Sequence, residues 1–326
     1  MLEVVVEGRN LTFREAYRTF RELFSEDPIR IAGFLTALEA KGYTSEEIAG
    51  FAKAMREFAI NVEVKDVCDV VGTGGDRAMT INVSTASSIV LSLYMRVAKH
   101  GNRSVTSKSG SADFLEKAGV EISLPPERLV RLIEKTNFGF IFAPLYHPKM
   151  REIMPVRRAL GIRTVFNILG PLLNPANPSC MLVGASSESI AEKMAAALRY
   201  LGVRNAVVVH GYPYDEANPS GTTLVIEIRN GTSERYTVTP EHFGLKRVKV
   251  VPCISPAESF SRVCRVFEGK GYEEDKVFIV LNSALALYSA GFQDFHECRE
   301  MAENVLDGTA MKKLEEIAWT SKSLNG

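Results

Sequence analysis

Residues 72 to 76 read Gly72-Thr73-Gly74-Gly75-Asp76, and these types in this order have the physical form of a phosphate cradle. They follow the apolar run Val67-Cys68-Asp69-Val70-Val71 and stand just before Thr80-Ile81-Asn82-Val83-Ser84-Thr85. Glycine takes positive φ freely and leaves its N–H uncovered, so a strand ending in glycines can offer donors to an anion. Asn82, Ser84 and Thr85 add hydroxyl and amide groups. Thr85 opens an Ala/Ser/Leu-rich run that reads as a helix, and a helix N-terminus favours negative charge. An ordinary strand-to-helix turn would also use glycines for geometry. The Asp and the Asn-Val-Ser-Thr string shift the balance toward a phosphorylated ligand. The segment fits neither GxxxxGK[ST] nor GxGxxG.

A second cluster is Lys99-His100-Gly101-Asn102-Arg103, followed by Ser107-Lys108-Ser109-Gly110-Ser111-Ala112-Asp113. Cationic and potentially cationic side chains are interleaved here with Gly and Ser. Met95 to Lys99 reads as a strand, which puts the cluster at or just beyond its C-terminal end, where open α/β sheets bind ligands. Ser111 is an N-cap candidate for a helix over 112–118, a second anion-accepting terminus. A solvated basic loop is the plain alternative, and a lone His100 would more often be structural.

His147-Pro148, Arg157-Arg158 and Arg163-Thr164 form a third group. Arg157 falls on a helix face with Met150 and Met154, beside the loop containing Pro171. An arginine among apolar residues suits a planar carboxylate through paired hydrogen bonds. Each of these arginines taken alone is as well explained by a surface salt bridge. The fourth group, Val209-His210-Gly211-Tyr212-Pro213-Tyr214-Asp215-Glu216, is a strand ending in Gly and then two adjacent carboxylates. Such a pair is often merely solvated. Its functional reading is Mg²⁺, which takes one or two carboxylates, waters and substrate phosphate oxygens. Together the groups suggest transfer chemistry on a diphosphorylated substrate.

These side chains need a scaffold, and the periodicity supplies one. Residues 1 to about 64 read as mostly helix, with starts at Thr12-Phe13-Arg14-Glu15, Asp27-Pro28 and Thr44-Ser45-Glu46-Glu47. From Val67 onward, short apolar runs alternate with helical stretches. Strands are expected over 67–71, 95–99, 139–143, 181–184, 206–210, 223–228 and 234–238. Helices are expected near 84–94, 111–118, 127–136, 147–160, 188–201 and 256–267, then through the C-terminal stretch. The pattern is that of an α/β domain whose mainly parallel sheet is covered by helices, behind a small all-helical domain. Expected bounds are 1–65 for the helical domain, joined by part of 150–175, and 66–326 for the α/β domain. The segment 163–177, with Gly170, Pro171 and Pro175 among apolar residues, reads as a structured loop at the boundary.

The 326 residues are 46% hydrophobic and 24% charged, ordinary for a globular protein with a sizeable core. Lys+Arg and Asp+Glu are both 39, so the formal net charge is zero. That argues against a general nucleic-acid or membrane-surface binder and makes any anion site local. Cys68, Cys180, Cys253, Cys264 and Cys298 are scattered without CxxC spacing and read as reduced thiols of a cytoplasmic protein. The first residues carry acid on both sides of a short apolar run, unlike a signal peptide.

With these strings in this order the chain resembles the anthranilate phosphoribosyltransferases. Further matching strings are Pro155-Val156-Arg157, Leu160-Gly161-Ile162-Arg163-Thr164-Val165-Phe166-Asn167 and Leu169-Gly170-Pro171-Leu172-Leu173-Asn174-Pro175-Ala176, and Asp215-Glu216 also matches. The resemblance covers nearly the whole chain. It implies transfer of a 5-phosphoribosyl group from 5-phosphoribosyl 1-diphosphate to the amine of anthranilate. It implies that the diphosphate ester binds at Gly72, Thr73, Gly74, Gly75, Asp76, Thr80, Asn82, Ser84, Thr85, Lys99, His100, Gly101, Asn102, Ser107, Lys108 and Ser111. Anthranilate would meet Gly72, Asn102, His147, Arg157 and Pro171, and Mg²⁺ would be held by Ser84, Asp215 and Glu216. Lys99 and Arg157 would act electrostatically. It also implies a homodimer formed through the helical part.

The chain departs from the family pattern in two places. Arg77 stands where a glycine usually follows the Gly-Thr-Gly-Gly-Asp string, and Tyr212-Pro213-Tyr214 precedes the acidic pair where a Gly-Leu type approach is usual. Two other readings share the architecture. A pyrimidine nucleoside phosphorylase would carry a Lys-His-Ser type string where this chain has Val70-Val71-Gly72. A non-catalytic nucleic-acid-binding relative would show a basic surface and a broken Lys99-to-Asn102 string.

Overall fold

Side-chain caps start the helices of the N-terminal unit, and the computed structural model, which describes residues 2–74, 78–103 and 110–325, shows how. After the short α1 (Leu2–Val6) come α2 (Phe13–Leu23), α3 (Pro28–Lys41) and α4 (Ser45–Glu57). Thr12 accepts from the Glu15 N–H while Glu15 accepts from the Thr12 N–H. Asp27 takes the Ile29 N–H at 2.7 Å, and Pro28 occupies the first turn where its missing N–H costs nothing. Thr44 and Glu47 repeat the reciprocal cap on α4. Ile48, Phe51, Ala52 and Met55 bury one stripe of α4 against α2, with Phe20 and Phe51 stacked at 4.6 Å.

A seven-stranded sheet follows, in the order β3-β2-β1-β4-β5-β6-β7. Its strands are β1 (Val67–Gly72), β2 (Arg96–Gly101), β3 (Phe138–Phe142), β4 (Cys180–Gly184), β5 (Asn205–His210), β6 (Thr223–Arg229) and β7 (Thr232–Val238). The first five are parallel to their neighbours, and β6 and β7 add an antiparallel edge. The strands read as continuous apolar runs because both faces are covered. Along β4, Cys180 and Leu182 face one core while Met181 and Val183 face the other. The first core lies against α5 (Val83–Leu91) and the helix Glu273–Ser289. The second is continuous with the helical bundle. All seven expected strands form, each within two residues of its expected ends.

Three details differ from expectation. The segment 163–177 is not a plain loop: Phe166–Leu169 makes a helical turn and Gly170–Leu172 a 3₁₀ turn. Phe166, Ile168 and Leu169 are buried, and Phe166 meets Phe20 at 5.2 Å, so packing on the bundle overrides the weak local propensity. The helix expected over 147–160 begins at Met150, leaving His147 in the turn before it. Gly110, not Ser111, is the N-cap of the helix Ser111–Lys117, its N–H held by Asp113 at 2.8 Å. Among the described residues no helix is long and apolar enough to cross a membrane.

Candidate active site

Strand order decides where a ligand can sit. The chain leaves β1 toward β2 on one side and β4 pairs with β1 on the other, so the crossovers diverge above the C-terminal ends of β1 and β4. A cavity of about 310 Å³ opens there. Gly72, Thr73 and Gly74 line it from β1, Lys99 to Arg103 from β2, Gly184 from β4, and Thr80, Asn82 and Ser84 from the start of α5. Ser111, Asp215 and Glu216 complete the wall.

Asp215 is held firmly in this wall. It is buried, and its Oδ2 accepts the Gly74 N–H at 2.7 Å. A Cβ on Gly72 would collide with that carboxylate, and one on Gly184 would overlap the Asp215 carbonyl. Glycine at the ends of β1 and β4 therefore makes room for an acidic residue between the strands. The unusual approach does not prevent this. Tyr214 folds back on Gly211 with an N–H bond of 2.9 Å, and the Asn282 side chain takes the Ala217 N–H at 2.9 Å.

Behind the cradle lie a buried lysine and a buried aspartate of opposite charge. Lys99 is 1% exposed, donates to the Val70 carbonyl at 2.6 Å and approaches Ser84 Oγ at 3.4 Å. Burial lowers its ammonium to about 8, against the pull of Asp69 and Glu216. Asp69 is fully buried in mid-strand, and burial raises it to about 6 despite Lys99. Its two oxygens take the His100 N–H at 3.2 Å and the Asn174 side chain at 2.8 Å. Asn174 also donates to the Ala98 carbonyl at 2.7 Å.

The expected anthranilate residues continue the network on the side of the helical unit. His100 Nδ1 donates to the Gly170 carbonyl at 3.2 Å, and its Nε2 lies 3.0 Å from His147 Nε2. Both rings are buried, and desolvation holds both neutral: His147 is lowered to about 4 and His100 well below its ordinary value. Arg157 lies over the Phe166 ring at 5.2 Å with Nη1 3.8 Å from Met154 Sδ. No ion pair to Arg157 is found among the described residues, and burial lowers its guanidinium. It is a desolvated cation on an aromatic face.

The structure thus brings Gly72, Thr73, Gly74, Thr80, Asn82, Ser84, Lys99, His100, Gly101, Asn102, Ser111, Asp215 and Glu216 to one cavity. Thr85 is fully buried in α5 and its Oγ1 has no partner. His147, Pro171 and Arg157 stand outside the lining, the first two one residue or one bond from His100. Gly75, Asp76, Ser107 and Lys108, and also Arg77, lie outside the described residues. Asp69, Asn174, Cys253 and Ser255 were missed. A charge within an apolar strand marked Asp69, and Ser255-Pro256 is a helix-start pair. Nothing local ties Cys253 to the site. Its N–H donates to the Met79 carbonyl at 2.6 Å, a contact only the fold creates.

Comparison with known proteins agrees with this geometry. Residues 1–59 match the helical bundle domain of the glycosyl transferase family and residues 64–311 its a/b domain. The anthranilate phosphoribosyltransferase of Pyrococcus furiosus is 57% identical over 324 residues, 99% of this chain and 100% of the relative. That of Methanococcus vannielii is 52% identical over 320 residues, 97% and 99% of the two chains. The crystal structure of the Thermus thermophilus enzyme superposes with a TM-score of 0.92 at 38% identity, covering 98% of this chain and 99% of that one. The Saccharomyces cerevisiae enzyme in complex with PRPP and Mg gives 0.86 at 28% identity, covering 96% and 94%. By fold, site and sequence, the chain belongs to the anthranilate phosphoribosyltransferase family.

Proposed function

We propose that this protein transfers the 5-phosphoribosyl group of 5-phosphoribosyl 1-diphosphate to the amine of anthranilate and releases pyrophosphate. The observation that carries the reading is one cavity at the strand crossover, lined by a buried lysine, hydroxyl and amide side chains and two carboxylates. An aromatic amine is a neutral nucleophile, so attack needs no strong base. Positive charge builds on the sugar as the C1–O bond breaks. The work left to the protein is to neutralise the departing diphosphate and hold the amine in line. Lys99, on the cavity wall, faces the first task. Arg157 is assigned to the anthranilate carboxylate, because a desolvated guanidinium without a protein counter-ion favours a planar anion.

The oxygen donors of Ser84, Asp215 and Glu216 share one cavity wall and suit a hard cation, so these residues would hold Mg²⁺. When bound, Mg²⁺ supplies charge stabilisation to phosphate oxygens. Asp215 is held for this role by the Gly74 N–H and by the space the two strand-end glycines leave. Changing Asp215 and Glu216 together to alanine should lower kcat/KM by about a hundredfold or more, measured as loss of anthranilate fluorescence. Near-normal turnover with Mg²⁺ would remove the assignment. Arg157→Ala should mainly raise the anthranilate KM; a pure kcat defect would contradict the carboxylate role.

The helical unit is proposed to include the segment 150–175, since Phe166 packs on Phe20 and the helix Met150–Leu160 lies on α3. A homodimer through this unit is supported by Val6 and Ile29, 66% and 81% exposed on the paired helices α1 and α3. Light scattering should report a dimer that Ile29→Glu weakens; a wild-type monomer at micromolar concentration would end the idea. A cytoplasmic setting fits the five free thiols.

The histidine pair adds a pH signature. His147 is held neutral down to about 4, below its ordinary 6.5. Between those values the unfolded chain binds more protons, so stability is full above 6.5 and falls as pH drops toward 4. His100 adds to the fall in the same direction. His147→Gln should therefore shallow the loss of Tm between pH 6.5 and about 4.5. An unchanged slope would show that the pair is not buried neutral.

A further inference from the structure

Arg56 is a half-buried cation that the transfer chemistry does not use. It stands in the last turn of α4, in the helical unit, yet its guanidinium reaches the other side of the site. Nε donates to the Leu172 carbonyl at 2.6 Å and Nη1 to Asn177 Oδ1 at 3.5 Å. Nη2 is buried without a partner, and no carboxylate pairs with Arg56 among the described residues. A desolvated guanidinium without a carboxylate is costly to keep, and burial lowers it to about 10. Its position is rigid, because the Ile48, Phe51, Ala52 and Met55 stripe fixes α4.

The carbonyl it holds belongs to the last residue of the 3₁₀ turn Gly170–Leu172, which the Leu173 N–H closes on the Gly170 carbonyl at 3.2 Å. At the other end of that turn the Gly170 carbonyl accepts from His100 Nδ1. A carbonyl cannot donate, so neutral His100 must carry its proton on Nδ1 and leave a lone pair on Nε2. The facing His147 Nε2, at 3.0 Å, must then be the protonated nitrogen. His147 Nδ1 is left as a bare acceptor, buried and without a partner. One turn thus sets both tautomers, and the ring that ends the chain can be satisfied only by an N–H or O–H donor. The acceptor substrate's aromatic amine is such a donor.

We propose that Arg56 is a positioning residue for the acceptor half of the site: by pinning the Leu172 carbonyl from the helical unit it fixes the Gly170–Leu172 turn, and through it the tautomers of His100 and His147. The inference deepens the transferase reading and rests on it for the substrate.

The test uses the full-length chain labelled with ¹⁵N-histidine, with Arg56→Gln and Arg56→Lys variants. In the wild type, long-range ¹⁵N spectra should show His100 as a single Nδ1–H tautomer and His147 as Nε2–H, assigned by the signals lost in His147→Gln. In Arg56→Gln the His100 signals should move toward a tautomer mixture. The anthranilate KM should rise about tenfold, while the 5-phosphoribosyl 1-diphosphate KM stays within about twofold. Arg56→Lys keeps one charged donor and should bring the anthranilate KM back to within about threefold of wild type. Unchanged tautomers in Arg56→Gln, equal damage to both substrates, or a folded Arg56→Lys no better than Arg56→Gln would overturn the proposal. If Arg56→Gln does not fold, the Arg56→Lys spectra and KM values decide alone. A wild-type chain without turnover would count against the transferase reading instead, and the nitrogen spectra would still judge Arg56.

Discussion

Everything in the site hangs from one buried carboxylate. Asp69 sits in the middle of β1 with no exposure, where a charge costs several kcal/mol unless it is paired and bonded. Its partners settle what that cost achieves. The His100 N–H ties it to β2, the Asn174 amide ties it to the segment crossing from the bundle, and Lys99 supplies the opposite charge. A buried carboxylate adds little net stability, but its hydrogen bonds fix geometry, because removing one strands a desolvated charge. Here the bond to the His100 N–H fixes the strand beside Lys99, whose ammonium is held at the cavity wall by Val70 and Ser84.

The same logic explains why a chain of zero formal net charge can bind a highly charged ester. Its surface field is balanced, so attraction must be made locally, from desolvated groups and backbone dipoles. Inside the cavity each such group acts in a medium less screened than water. The carboxylates of Asp215 and Glu216 oppose an anion on their own, so in the proposed reading they would hold a hard cation. Lys99 and the acidic pair line the same cavity, joined through the Gly74 N–H that holds Asp215.

Much of this was legible in the sequence because it is local. Reciprocal caps at Thr12/Glu15 and Thr44/Glu47, the apolar strand runs and the strand-end glycines each reveal their purpose within a few residues. The acidic pair and the Lys99-to-Asn102 string could be placed at strand ends by the same signals. What stayed hidden is what only tertiary contact creates. The segment 163–177 looked like a loop because Gly170, Pro171 and Pro175 dominate its propensity. It folds into turns because Phe166, Ile168 and Leu169 find a surface to bury against. Cys253 could not be tied to the site, since its contact with Met79 spans 174 residues of chain.

The boundary between the two units is where the site's two halves meet, and its construction differs from either side. The diphosphate half is built on strand ends, rigid through the sheet ladder. The half assigned to the acceptor is built on a three-residue turn held to α4 by Arg56 and linked to the sheet by two side-chain bonds, Asn174 to Asp69 and His100 to Gly170. The two side-chain links to the sheet, at Asn174 and His100, can adjust where a ladder cannot, while Arg56 keeps the turn itself fixed. A phosphoribosyl donor that reacts with water if left open needs one half held still and another able to adjust around the second substrate. The distribution of hydrogen bonds, backbone on the donor side and side chain on the acceptor side, meets that requirement without any element designed solely to move.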